Sequence, residues 1–436
     1  MQTDRYGLPL STSQPRARDA YLAAVDSLLG AMPGDLEGFE AALRHDPDFA
    51  LAAIGLARAL LVRMRVSEAR HYAASARALV AGASERERSH VHVLALGIEG
   101  KTVEALDAMH AHLRRWPRDA MVLAPATGVF GIIGFSGRSE REREQFELLQ
   151  ALAPHYREGT GGEGNGGEGD GEDWWFGMAL AFAACETGRL DLAAPMIERS
   201  LARMPTSGNV VHVHAHVAYE LGDTQSELSR LEASLRSYPR EALMHCHLSW
   251  HAALFAMQLG DADKAWRHYR DSVHPDVALA PPLNMVTDCA SFLWRAELAD
   301  QPAPGGAAGA QREWDTVRRS ARQYFPKAGV TFADVHVALA CIASGDRTGL
   351  GELRAQLAER LAAGKLTAGP AVLSLVDGLA AYRDADWPRA VRELGAALPE
   401  TVRIGGSRAQ RDLVALTLAE AQRQAGVGTG RAPGFR

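Results

Sequence analysis

Six of the chain's 16 histidines fall in two short runs. Val211-His212-Val213-His214-Ala215-His216 and His245-Cys246-His247-Leu248-Ser249-Trp250-His251 each hold two histidines four residues apart, His212 with His216 and His247 with His251. On a helix such positions stand one above the other on one face. Two imidazoles so placed can share a metal ion, as in the H-x-x-x-H pairs of zinc sites. The register between the pairs is the stronger signal: His212 to His247 and His216 to His251 are both 35 residues. Asp288, 37 residues beyond His251, offers a carboxylate on the next equivalent segment. His214 and His245 are two residues off these faces and are expected to point elsewhere.

Three chemistries suit four imidazoles in one register. They can hold a divalent metal ion, act without metal as acid–base or ligand-binding groups near neutral pH, or form only a hydrogen-bonded network between helices. A zinc protease is not supported, because Val213 and Leu248 stand where H-E-x-x-H would carry its glutamate.

The elements that must position these residues are helices. Ala, Leu, Arg and Glu dominate, and apolar residues recur at three and four positions, as in Leu228, Leu231 and Leu235. The central third repeats. Gly188, Gly222 and Gly260 are 34 and 38 residues apart, and Pro205, Pro239 and Pro275 run in step at 34 and 36. A period near 34, with Gly between two helices and Pro after the second, marks a tetratricopeptide array. Gly permits the tight turn, and Pro ends the second helix because it cannot donate the next hydrogen bond. One helix pair cannot bury its apolar face alone, so pairs stack.

The fold class expected is therefore all-α, a tetratricopeptide-type helical-hairpin superhelix (α-solenoid), as one domain over residues 1–436. First helices of the pairs are expected at Trp174–Thr187, Asn209–Leu221, Ala242–Leu259 and Pro282–Leu298. Further pairs are expected around Phe49–Val80, Glu87–Trp116, Ala120–Leu152, Thr331–Ala363 and Pro370–Leu398, with a last helix from Ser407 to Ala425. Residues 158–172, EGTGGEGNGGEGDGE, read as a flexible loop. Residues 300–310 read as a Pro/Gly/Ala-rich linker, and 426–436 as a disordered tail. In such an array successive first helices lie side by side, so the paired histidines are expected to converge. Trp174-Trp175-Phe176 open one of these helices and read first as packing against the preceding repeat, with a wall behind a lid at 158–172 as the functional alternative.

A net charge of −6, from 47 basic and 53 acidic residues, and the absence of a long basic run argue against nucleic acid. The four cysteines, Cys185, Cys246, Cys289 and Cys341, are far apart and read as buried thiols rather than a disulfide framework. No apolar run reaches membrane-spanning length, and Met1–Leu10 lacks the apolar core of a signal peptide. No membrane partner and a cytoplasmic location are expected.

At the histidine runs the sequence resembles the tetratricopeptide repeat protein 38 family, and the likeness spans most of the chain. Leu8-Pro9-Leu10-Ser11-Thr12 matches its opening LPLST, and Glu87-Arg88-Ser89-His90-Val91 its E-x-x-H-V. His212-x-x-x-His216 with Ala215 matches H-x-x-A-H. Cys246-His247-x-x-Trp250-His251-x-Ala253-Leu254 matches C-H-x-x-W-H-x-A-L, the most specific stretch. Asp288, Ser291 and Arg295 fall on D-x-x-S-x-x-x-R, Phe332, Asp334 and His336 on F-x-D-x-H, and Gly405 to Asp412 on G-G-S-x-A-Q-R-D. The chain departs from the family at Tyr219, where an acidic residue is usual and Glu220 follows one position later. The resemblance implies a tetratricopeptide superhelix and no settled reaction.

Two functions from different classes follow. In the first, a small molecule is bound, and transformed by acid–base or metal-assisted chemistry, in a pocket where His212, His216, His247 and His251 supply bases or metal ligands and Asp288 orients an imidazole. Arg411 would hold an anionic group, with His336, His90, Trp250 and Tyr219 as further substrate contacts. For Ser407 and Gln410 a capping box is the simpler reading, and for Arg411 a structural ion pair. In the second, the array is a non-catalytic scaffold for a protein partner, the usual use of such repeats.

Overall fold

The computed structural model describes residues 2–156 and 173–427. Among them are 21 α-helices and one two-stranded ribbon, Gln2–Thr3 paired antiparallel with Pro9–Leu10. The expected loop at 158–172 lies outside the described residues, as does all but the start of the expected tail. The chain contacts group into two compact units. The first comprises Met1–Ile133, Arg143–His214 and Glu241–Met244, the second Gly134–Glu142, Ala215–Arg240 and His245–Arg436.

One local device recurs in both units. A first helix ends on a residue of positive φ, and the next amide bonds back to a carbonyl five residues earlier, the Schellman closure. At Gly188, Gly222 and Gly260 φ is 75°, 76° and 77°. The closing bonds are Arg189 N–H to Ala184 O at 2.8 Å, Asp223 N–H to Ala218 O at 2.9 Å and Asp261 N–H to Ala256 O at 2.9 Å. Gly100 and Gly345 make the same turn. So do four residues that the glycine pattern could not reveal: Ala31, Met64, Asp300 and Ala385, at φ of 50°, 60°, 57° and 58°. Each turn delivers the chain into a second helix that starts two residues later, at Val66, Thr102, Leu190, Thr224, Ala262, Arg347 or Trp387, except after Asp300, where it starts at Gly306, and after Ala31, where it starts at Asp35.

In the first unit the helices Pro15–Gly30, Asp35–His45, Ala50–Leu61, Val66–Leu79, Glu85–Ile98 and Thr102–Arg115 each pack on the next, and Trp174–Glu186 packs on Leu190–Arg203. Ser207 Oγ donates to Gly30 O at 2.9 Å and Asn209 Nδ2 to Leu29 O at 2.8 Å, so the end of the first helix is tied to the 207–209 turn. In the second unit the first helices His245–Gln258, Pro282–Leu298, Thr331–Ser344 and Ala371–Arg383 pack on one another in turn. Their partners Ala262–His268, Gly306–Tyr324, Arg347–Ala362 and Trp387–Ala397 form the other layer. The closing helix Arg408–Gln424 packs on Pro282–Leu298 and Ala371–Arg383, and Trp294 Nε1 donates to Thr417 Oγ1 at 2.9 Å.

The two layers differ in composition for a physical reason. First helices have neighbours on several sides, and His245–Met257, Met285–Ala296 and Phe332–Ala343 are buried at every position. Partner helices bury one stripe, such as Ala390, Leu394 and Ala397 in Trp387–Ala397. The core of the second unit includes the fully buried Trp250, Trp294, Phe255, Phe292 and Phe332.

Most expected helices are present, with shifted ends. The one expected at Ala242–Leu259 starts at His245, and that at Pro282–Leu298 keeps its bounds. The pair expected over Ala120–Leu152 is different: Ala120–Leu123 is a single turn, and a regular helix resumes only at Arg141–Tyr156. Residues 300–310 are linker only to Gly305, because alanine-rich Gly306–Ala310 already belongs to the Gly306–Tyr324 helix. The helices Pro15–Gly30 and Asp35–His45 add a pair the periodicity did not mark.

Because the turns fix the register, Gly222→Ala should lower stability by about 1–2 kcal/mol through left-handed backbone strain alone, since an added Cβ there meets nothing within 4 Å. Gly406→Ala should cost more, because φ is +75° and the added Cβ would lie 2.3 Å from Phe332 Cε2. Urea unfolding midpoints of the two variants check the order.

Candidate functional site

The buried polar residues concentrate on the first helices. His216 sits on Gly208–Leu221, His247 and His251 on His245–Gln258, and Asp288 on Pro282–Leu298, and all four are buried. Ring nitrogens of His216, His247 and His251 lie within 4.8 Å of one another. The His216 and His251 rings meet edge to face at 4.6 Å and those of His247 and His251 at 4.8 Å. His212, one turn before His216 on the same helix, falls in the first unit, where its ring edge meets Phe182 at 5.7 Å.

His247 is oriented from both sides. Its Nδ1 donates to Asp288 Oδ2 at 2.8 Å, and its ring stacks on Trp250 at 5.1 Å and 12°. A carboxylate can only accept, so this bond places the ring proton on Nδ1. Asp288 is 0% exposed; burial raises its pKa, and His247 draws it partly back. Burial drives His216 down to about 3, and the neighbouring His247 adds to the effect. His216 is thus a neutral base at physiological pH. Two buried polar atoms of this group, Asp288 Oδ1 and Trp250 Nε1, have no hydrogen-bond partner among the described residues. The adjacent Cys246 thiol is pushed well up by burial and then by Asp288, so it is no nucleophile.

Other expected residues take different places. His214 bonds Glu198 Oε1 at 3.0 Å on the partner helix, as its off-face position implied. Arg411 donates to Gly406 O and, at 2.5 Å, to Glu142 Oε1, the structural ion pair. Ser407 and Gln410 form the capping box. Tyr219 donates to Asp412 Oδ2 at 3.0 Å, while Glu220 pairs with Arg408. His336 Nδ1 donates to Phe332 O at 2.7 Å, and burial lowers this imidazole to about 4. Asp334, in the first turn of Thr331–Ser344, accepts the Gly329 amide at 3.1 Å.

His90 belongs to a separate cluster in the first unit. Its Nδ1 meets Asp119 Oδ2 at 2.9 Å, and the same oxygen accepts from Arg86 at 2.8 Å and contacts His112 Nε2 at 3.1 Å. Burial opposes the charge on Asp119, but His90, His112 and Arg86 outweigh it and hold the carboxyl well below its usual range. Sequence reasoning missed His112 and Asp119, whose residue types and spacing form no marked motif. It also left Arg295 without a role, although its place seven residues after Asp288 puts both near one helix face.

The recurrent turns and two-layer packing make this an all-α helical-repeat protein of tetratricopeptide type. No family model matches the chain. Among solved structures it is similar to yeast Tom70 (9% identity, 93% of this chain and 87% of that one, TM-score 0.38). It is also similar to the TPR domain of P58(IPK) (15% identity, 94% and 98%, TM-score 0.21) and to Naa15/Naa10 bound to HypK-THB (16% identity, 94% and 61%, TM-score 0.24). The fold assignment rests on the helices themselves. No helix among the described residues is long and apolar enough to cross a membrane.

Asp334 makes a pH prediction. Burial raises its carboxyl to about 7, against the Gly329 hydrogen bond and Arg360. A raised folded value means the stabilising contribution is complete at low pH and lost as pH rises through about 7. Stability should therefore fall between about pH 4, near the ordinary carboxylate value, and about pH 7, and Asp334→Asn should flatten that fall in paired urea titrations.

Proposed function

We propose that the imidazole cluster binds a divalent transition-metal ion together with a small molecule, and that the chain transforms this molecule by metal-assisted acid–base chemistry. The observation that carries the reading is the mutual approach of His216, His247 and His251, with His247 locked by Asp288. A ligating histidine that donates its other nitrogen to a carboxylate is the usual outer-sphere arrangement of such sites, because it fixes the tautomer and raises basicity. Imidazole donors suit Zn, Cu, Fe and Ni. Ligand nitrogens around a tetrahedral ion at about 2.0–2.1 Å stand about 3.3 Å apart, so the rings would close by about 1 Å or a little more, within reach of side-chain torsions.

His216, His247 and His251 are the donors in this proposal. Three imidazoles leave an open position on a tetrahedral ion. Asp288 supplies nearby negative charge. When bound, the ion would acidify a coordinated water or polarise a ligand oxygen. The chain's own residues orient His247, keep His216 deprotonated and pack Trp250 against His247 and His251.

Cobalt(II) titration of the full chain, after treatment with a chelator, should show one ion per chain, with absorption bands that separate four- from six-coordination. Asp288→Asn should weaken the ion about 10–100-fold, and a His247→Ala, His251→Ala double variant should abolish saturable binding. Wild-type protein that takes up no cobalt, zinc or nickel in the micromolar range leaves the metal reading without support. In that case the scaffold reading gains, and the imidazoles become interhelical packing.

A further inference from the structure

The helix that carries Asp288 also carries Ser291 and Arg295. These lie three and seven residues further on, near one face, and Arg295 stands two turns, about 10 Å, along the axis. Arg295 is only 3% exposed. Its guanidinium is held by neutral atoms: Nε donates to Ser291 Oγ at 3.2 Å, and Nη2 to Ala409 O at 2.6 Å and Gln410 O at 3.3 Å. It makes no ion pair with any described carboxylate. The other two arginines this deeply buried each meet a carboxylate, Arg86 at Asp119 (2.8 Å) and Arg141 at Glu142 (3.4 Å), although Arg141 is also held by two carbonyls.

A buried guanidinium without a carboxylate is expensive, and a neutral residue of similar size would remove the cost. Tyr219, whose hydroxyl donates to Asp412 Oδ2 at 3.0 Å, lies beside Arg295, whose charge acts on it against the effect of burial. His336, also influenced by Arg295, is kept neutral and cannot compensate it. Tyr219 is three residues from His216 on one helix, and Arg295 is seven from Asp288 on another. The polar pair therefore sits one to two turns beyond the imidazoles, about 5–10 Å.

We infer that Arg295, with the Tyr219 hydroxyl, receives the carboxylate of the small molecule on which the imidazoles act. This rests on the small-molecule reading above and deepens it. Nε and Nη2 already serve neutral acceptors and the Tyr219 hydroxyl lies at the guanidinium, so contact is end-on rather than a two-pronged fork. One positive charge, with Asp412 close behind Tyr219, matches a monoanion and disfavours a phosphate dianion. The ligand class is a small carboxylic acid whose reacting group stands several bonds from the carboxylate.

The test uses the full chain, a series of linear monocarboxylates from acetate to octanoate, their primary amides, and inorganic phosphate, all by calorimetric titration. The expected result is a carboxylate bound at least ten-fold more tightly than its amide, and an optimum at intermediate length. Arg295→Gln should erase the preference, Arg295→Lys should restore part of it, and Tyr219→Phe should weaken it several-fold. Equal binding of acid and amide, no binding of any acid, phosphate binding as tightly as the best acid, or a preference that survives in Arg295→Gln would each overturn the inference. Cobalt affinity of Arg295→Gln, read in parallel, should match wild type. Lost cobalt uptake with an intact carboxylate preference removes the metal reading alone, and the converse removes this inference alone.

Discussion

Everything else in the chain is downstream of a backbone reversal. A first helix stops at one residue of positive φ, and the amide that follows closes on a carbonyl five residues back. The reversal is local and stiff, so the side chains of each first helix are aimed by a turn a few residues away. Five of these turns use glycine, for which the left-handed region carries no steric charge. Ala31, Met64, Asp300 and Ala385 make the same turn at a cost of about 1–2 kcal/mol each, which the packing of the two flanking helices offsets.

The consequence is an inner layer in which almost any residue is buried, whatever its polarity. Most positions there are alanine, leucine or aromatic. The exceptions are few and tied to one another: His247 to Asp288, Arg295 to Ser291, His336 to its own helix carbonyl. Burying such groups gains nothing for stability over apolar residues of similar size. Their concentration on adjacent helices is the physical reason for a functional reading, and the two-layer packing is what makes the concentration possible.

The sequence displayed the inner layer better than its surroundings. Pairs of histidines at i and i+4, 35 residues apart, could be read directly because helix period and repeat period are both simple numbers. The three-dimensional proximity of His216, His247 and His251 and the Asp288 bond follow that reading. The off-face placement of His214 was legible for the same reason. What escaped were features that depend on long-range partners. Arg411 has a surface-like motif, yet its use is set by Glu142, 269 residues away. Arg295 looks like an ordinary helical arginine until the Ala409 and Gln410 carbonyls close over it. Turns at Ala31, Met64, Asp300 and Ala385 were hidden because sequence periodicity was tracked through glycine. The Ala120–Leu152 region misled because apolar composition there is served by irregular packing.

The thiols give the molecule an unintended instrument. Cys185, Cys246, Cys289 and Cys341 are all buried, each on a different first helix. Cys246 and Cys289 have acidities suppressed by burial in the site layer itself. An alkylating reagent can reach them only when the helix that carries each one swings away from its neighbours. The rate at which each cysteine is modified is therefore a clock for the opening of one repeat, and the four together would resolve how the array breathes, repeat by repeat, without any label being added.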